Sequence, residues 1–147
     1  MNPSRRSLLL ALIAMSAPAA AWADPLGADD SRAVRATIEA QLQALAAGDA
    51  VAAFSHASAS IRRQFDDAEA FIDMVRQGYP MVIRPAATAF FQAEWAAGAV
   101  RQVVQFRDAA GRNWLATYQL VKLVDQPGQP WRINGVVVVA DTGKSST

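Results

Sequence analysis

The chain has 147 residues, with 14 Lys and Arg against 13 Asp and Glu, one histidine and no cysteine. The absence of cysteine excludes disulfide bonds, thiol catalysis and thiolate metal ligands. The near-neutral charge argues against the basic surface that binds nucleic acid. Packing of apolar side chains must therefore stabilise the fold.

Residues 1–23 contain the features of an export signal in the expected order. Arg5 and Arg6 precede an apolar run at 8–15, and Ala21-Trp22-Ala23 supplies the small residues that a signal peptidase reads. The run is too short to span a membrane. We predict cleavage after Ala23 and a periplasmic or secreted protein that keeps no membrane anchor. The Sec route is favoured over twin-arginine export, because no aromatic residue follows the arginine pair.

The predicted mature chain, residues 24–147, has the length of a single domain, with its core at about 31–139. Removing the signal changes the formal charge from +1 to −1. Residues 24–30 form a polar lead that we expect to be loose.

An amphipathic helix is predicted over residues 31–47, because apolar residues recur there every three or four positions. Asp30 or Ser31 is its expected N-cap, and Gly48 can adopt the left-handed conformation that ends it. The residues of its apolar stripe are Val34, Ile38, Leu42 and Leu45.

Three further helical segments follow. Asp49 is expected to cap a short helix at 50–55, and apolar spacing predicts one helical turn at 61–65. Asp66 and Glu69 resemble a capping box, which predicts a helix over 67–77.

From residue 81 the spacing of the apolar residues changes to the pattern that is typical of strands. Turn signals separate the apolar runs, which predict an edge strand at 81–83 and longer strands at 88–95, 100–107, 113–123 and 131–139. In the last strand, one face is predicted to carry Trp131, Ile133, Gly135, Val137 and Val139. Helices first and antiparallel strands last predict an α+β domain, with the N-terminal helices packed on the concave face of a curved sheet.

This order resembles the nuclear transport factor two-like, or cystatin-like, cone superfamily. The segments QLQALAAGDAVAAFSHASASIRRQF, FIDMVRQGYPMVIRP and WRINGVVVV are similar to an exported bacterial family of domains of unknown function (DUF4864-like). The resemblance covers about residues 31–139 and implies a conical pocket between helices and sheet. It implies no activity, because the superfamily includes isomerases, dehydratases and cyclases as well as proteins that only bind or dimerise.

Three residues are candidates for acid–base chemistry. His56 titrates near neutral pH, Tyr79 offers a phenol, and Glu94 would have a raised pKa if it pointed into an apolar pocket. Two of them also have an ordinary explanation, His56 as a surface or helix-end histidine and Glu94 as an outward glutamate on its strand.

A separate set of residues is predicted to bind a ligand. Aromatic side chains on the strands either line an apolar pocket or fill the core, and an arginine near the pocket mouth either clamps a carboxylate or protects a sheet edge. The predicted ligand-binding residues are Tyr79, Arg84, Trp95, Trp114 and Tyr118.

These patterns favour a non-catalytic protein that binds an apolar small molecule or a protein partner. The alternative is an isomerase- or dehydratase-like enzyme with an acid–base pair in the pocket. No motif for a cofactor, metal or nucleic acid is present, so none of these is predicted. The apolar run at 136–139 suggests a strand buried on both faces and hence a homodimer.

Overall fold

A computed structural model describes residues 24–143. The predicted export signal lies outside these residues. Within the described residues, a two-residue strand is followed by four helices, a short 3₁₀ turn at Pro80–Val82 and then the longer strands. The helices are α1 (Ala28–Ala47), α2 (Ala50–Ser55), α3 (Ala59–Arg62) and α4 (Ala68–Gly78).

The strands form one curved, open antiparallel sheet, which confirms the predicted α+β fold. Its path runs β1-β3-β4-β5-β6, and β2 pairs with β4 beside β3. The six strands are β1 (Asp24–Pro25), β2 (Ala87–Phe90), β3 (Glu94–Ala96), β4 (Ala99–Arg107), β5 (Asn113–Lys122) and β6 (Trp131–Asp141).

Helix α1 packs its predicted stripe into the core. Val34 and Ile38 are completely buried, Leu45 is buried, and Leu42 is partly buried against them. Gly48 ends the helix in the left-handed conformation, with φ 70°, as predicted. The predicted start is wrong, because the helix begins three residues earlier, after Gly27.

The shorter helices are held by side-chain caps. Asp49 accepts from the Ala52 N–H at the start of α2, as predicted, and Ser58 accepts from the Ile61 N–H at the start of α3. Asp67, rather than the predicted Asp66, caps α4 by accepting from the Ala70 N–H. These hydrogen bonds satisfy donors that the first helical turn leaves unpaired.

The N-terminal lead is ordered, which corrects the expectation of a loose segment. Asp24 and Pro25 pair with Trp95 and Glu94 as strand β1, and the Leu26 side chain is buried in the core. Burial of Leu26 and the pairing of β1 with β3 together hold the lead against the sheet.

The predicted strand at 88–95 is interrupted. Its two halves, β2 and β3, pair with opposite ends of β4, and the segment between them departs from the ladder. The buried Gln102 amide donates to the Phe91 carbonyl at 2.6 Å, so a side chain satisfies a backbone group there.

The predicted edge strand at 81–83 is wrong. Pro80 opens a 3₁₀ turn in which the Val82 N–H donates to the Tyr79 carbonyl at 3.1 Å, and the Val82 side chain is buried. Proline suits the first position of such a turn because it has no N–H to lose.

Strand β6 changes face partway along. Leu120 pairs with Ile133 and Gln119 pairs with Gly135, so Asn134 is an extra residue that forms a β-bulge. After it, Val136 and Val138 pack against the core, whereas Val137 and Val139 are more than half exposed. The predicted single face for Trp131 to Val139 is therefore wrong beyond Ile133, because one inserted residue inverts the alternation.

Candidate functional site

The helices and the inner face of the sheet enclose an open cavity of about 400 Å³. We call it the main cavity. It is bordered by α1, the segment that contains Ala57, α4, and the inner faces of β5 and β6. Its volume lies within the range of about 300–1,000 Å³ that is typical of small-molecule sites.

The lining of the main cavity is mostly aliphatic and aromatic. Phe65, Met74 and Val136 are among the apolar residues at its surface, and Phe65 stacks edge to face on Phe71 with ring centroids 5.5 Å apart. The polar side chains that border it are Gln41, Gln64, Tyr79 and Tyr118. Among the described residues, no carboxylate, imidazole, lysine or arginine lines the cavity.

Tyr118 lies in the middle of β5 and faces inward. Its side chain is 2% exposed, and burial raises the pKa of its hydroxyl far above the ordinary value. No hydrogen bond to this hydroxyl forms within residues 24–143, although a buried tyrosine usually has a partner. Within residues 24–143, Trp131 Nε1 is the polar side-chain atom that is both shielded from solvent and without a hydrogen-bond partner. Tyr118 differs because it lines the main cavity, so its hydroxyl is not shielded in this way.

Gln41 extends from the buried face of α1. Its Nε2 donates to the Ala53 carbonyl at 3.1 Å, which fixes the orientation of the amide because a carbonyl can only accept. The opposite atom, Oε1, is left as an acceptor at the cavity. Sequence reasoning missed Gln41, although its position seven residues after Val34 placed it on the apolar stripe.

The segment before α3 closes one side of the main cavity. It forms a parallel bridge with β6, in which the Ile133 N–H donates to the His56 carbonyl and the Ser58 N–H donates to the Ile133 carbonyl, both at 2.8 Å. The Ser58 hydroxyl also donates to Asn134 Oδ1 at 2.7 Å. These bonds tie the helical half of the cavity to the β-bulge.

The three catalytic candidates do not converge. Tyr79 borders the main cavity and is half-buried, but His56 and Glu94 are not among the residues that line it. Partial burial and, to a smaller extent, Arg132 lower the pKa of His56. Glu94 forms an ion pair with Arg101 across β3 and β4.

The five predicted ligand-binding residues divide among three places. Tyr79 and Tyr118 line the main cavity, whereas Arg84 and Trp114 border a second, shallower depression of about 340 Å³. Trp95 lies in neither and packs on Trp131, with ring centroids 5.8 Å apart.

The second depression has polar groups that are already paired. The Arg84 guanidinium donates to the Ala46 carbonyl at 2.9 and 3.1 Å, at the C-terminal end of α1. The Trp114 indole donates to Asp108 and, with a backbone N–H from Arg112, lowers the pKa of that carboxyl. Arg84 therefore caps a helix, where a cation is favourable.

The outer face of the sheet carries exposed apolar side chains. Val137 and Val139 are 65% and 54% exposed, and Leu115 lies beside Val139 on the neighbouring strand. The homodimer predicted from this strand stays a prediction.

Within residues 24–143, no three His, Asp or Glu side chains cluster as a metal site would require, and no helix is long and apolar enough to cross a bilayer.

The fold and the main cavity define an α+β domain whose helices cover one face of a curved antiparallel sheet. A family model described as a domain of unknown function (DUF4864) matches residues 27–146, and the chain belongs to that family. This confirms the predicted family of domains of unknown function, whereas its bacterial and exported character and its place in the cone superfamily stay predictions. No curated protein and no solved structure matches the chain.

Proposed function

We propose that this protein is an exported, non-catalytic binding protein whose main cavity takes one apolar small molecule. The observation that carries the proposal is an open, mostly apolar cavity of about 400 Å³, at whose surface lies a buried tyrosine hydroxyl that no residue in 24–143 pairs with. Concave apolar sites with a few fixed polar groups are the usual form of a ligand pocket. A core without a ligand role would be expected to fill such a space with side chains.

Binding is supported over the isomerase or dehydratase alternative by the lining of the cavity. Acid–base catalysis needs one group that gives a proton and one that takes it, both within reach of the substrate. Tyr79 and Tyr118 are the titratable residues that border the main cavity, and both are phenols. His56 and Glu94, the expected partners, do not line the cavity, and Glu94 forms an ion pair with Arg101.

Native mass spectrometry of the full mature protein, purified from the periplasm of its source cell, tests the proposal. We expect a retained small molecule that is released when the same sample is denatured. The matched pair Val136→Phe and Val137→Phe makes the same change on adjacent residues of β6. Val136 lines the cavity and Val137 faces outward.

The two variants should behave differently if the cavity holds the ligand. Val136→Phe fills part of the cavity and should lose the bound molecule, whereas Val137→Phe should keep it. A wild-type protein that carries nothing, or a molecule that persists in Val136→Phe, would contradict the proposal.

A further inference from the structure

The polar groups of the main cavity carry information about its ligand. Tyr118 presents a hydroxyl that no residue in 24–143 pairs with, on a side chain that is 2% exposed. A phenol hydroxyl can donate one hydrogen bond, and burial keeps it in the neutral, donating form because burial raises its pKa. An acceptor on the ligand would satisfy this donor.

Gln41 limits the charge that the ligand can carry. Because its Nε2 is held by the Ala53 carbonyl, the atom it offers to the cavity is the partly negative Oε1. An anionic group beside Oε1 would be repelled. Among the described residues, no cation lines the cavity to compensate, so an anion would lose its hydration without a partner.

We infer that the main cavity takes an uncharged, largely apolar compound that presents a carbonyl oxygen to the Tyr118 hydroxyl. This inference rests on the proposed binding function and adds the chemical class of the ligand. The apolar wall supplies most of the affinity, and the hydrogen bond from Tyr118 sets the preferred functional group.

Three probes of matched shape test the inference: acetylnaphthalene, isopropylnaphthalene and naphthoate, all substituted at the same ring position. They differ in that one offers a neutral carbonyl, one offers no polar group and one carries a negative charge. Isothermal titration calorimetry on the full mature protein should give acetylnaphthalene an affinity about 3- to 10-fold above isopropylnaphthalene, the net worth of one hydrogen bond. Naphthoate should bind more weakly than both.

The substitution Tyr118→Phe removes the hydroxyl and leaves the ring. It should abolish the advantage of acetylnaphthalene while leaving the affinity for isopropylnaphthalene unchanged. The same change at the second phenol that borders the cavity, Tyr79→Phe, distinguishes the two hydroxyls. If Tyr118 is the donor, the preference for acetylnaphthalene persists in Tyr79→Phe. A preference that is lost in Tyr79→Phe instead would overturn the role of Tyr118.

The outcomes separate the two claims. Equal wild-type affinities for the acetyl and isopropyl probes, or a preference for naphthoate, would overturn the inferred ligand class and leave the binding function in place. A preference for acetylnaphthalene that survives Tyr118→Phe would also overturn it. Failure of all three probes to bind would overturn the binding function itself.

Discussion

The buried hydroxyl of Tyr118 should make the protein lose stability in alkaline solution. In the unfolded chain this group ionises near its ordinary pKa of 10.0, whereas burial raises the pKa in the folded protein well above that value. The contribution of the neutral Tyr118 hydroxyl to the free energy of unfolding is therefore fully present below pH 10 and is lost as the pH rises toward the pKa of the folded protein. The unfolded state gives up its proton first, so alkali favours unfolding.

The size of the effect follows from the two ionisation states. Above pH 10 the free energy of unfolding should fall by about 1.4 kcal/mol per pH unit through this group, so the loss at pH 11 is about 1.4 kcal/mol. The comparison of wild type with Tyr118→Phe isolates it, because other titrating groups affect both proteins equally. Near pH 9, the variant should lie within about 1 kcal/mol of the wild type, since no residue in 24–143 pairs with the hydroxyl.

Urea unfolding of both proteins at the two pH values measures this difference. Relative to the wild type, Tyr118→Phe should gain about 1.4 kcal/mol between the lower and the higher pH. An independent measurement is the ultraviolet absorbance of phenolate, in which the signal of Tyr118, identified as the part that is missing in Tyr118→Phe, should appear only when the protein unfolds. If the stability difference stays constant and Tyr118 ionises in the native protein at its ordinary pKa, Tyr118 is solvated and our reasoning about the cavity fails.

Three further predictions concern the surroundings of the cavity. The folded-state pKa of His56 should lie below 6.5 because of burial and then Arg132, so acid should lower the stability as the pH falls below 6.5. Proton NMR of this single imidazole measures the pKa, and a value at or above 6.5 contradicts the prediction. Ser58→Ala should cost about 1–3 kcal/mol in urea unfolding, since it removes a helix cap and a buried hydrogen bond, whereas Ser60→Ala, at an exposed site, should change the free energy by less than about 0.5 kcal/mol. Light scattering at roughly tens of micromolar should give the mass of a dimer that Val137→Arg converts to a monomer, and a monomeric wild type rejects the dimer.

Features encoded by neighbouring residues could be predicted from the sequence. The stripe of α1 depends on spacing within one helix, and Gly48 and Asp49 act on the chain immediately beside them. The same is true of the long strands β4 and β5, whose alternation and turns are local signals. Such features depend on few contacts from distant parts of the chain.

Features that depend on a distant side chain, or on one residue in a short segment, could not be predicted. The break after β2 is stabilised by Gln102, which lies on another strand. The anchor at Leu26 is a single apolar residue in a polar lead, too short a pattern to indicate burial. The turn at Pro80–Val82 contains apolar residues that fit a strand equally well until the proline is placed first.

The sequence could predict which types of side chain the candidate site contains, but not which of them lie together. The sequence identified Tyr79 and Tyr118 as phenols for a pocket. The cavity is also lined by Gln41, which lies on α1, far from Tyr118 in the sequence. Arg84 and Trp114 were equally reasonable candidates by residue type. The tertiary structure assigns them to a separate depression, where their polar groups already have partners.

The β-bulge at Asn134 shows how a single residue decides what the cavity contains. With an unbroken alternation from Trp131, the inward residue would be Val137 and the outward residue Val136. The extra residue, held by the Ser58 hydroxyl, reverses them, so Val136 lines the cavity beside Tyr118, its partner on the neighbouring strand. Two valines adjacent in sequence thus have opposite roles, and this is why the same substitution at each of them separates ligand binding from a change to the sheet surface.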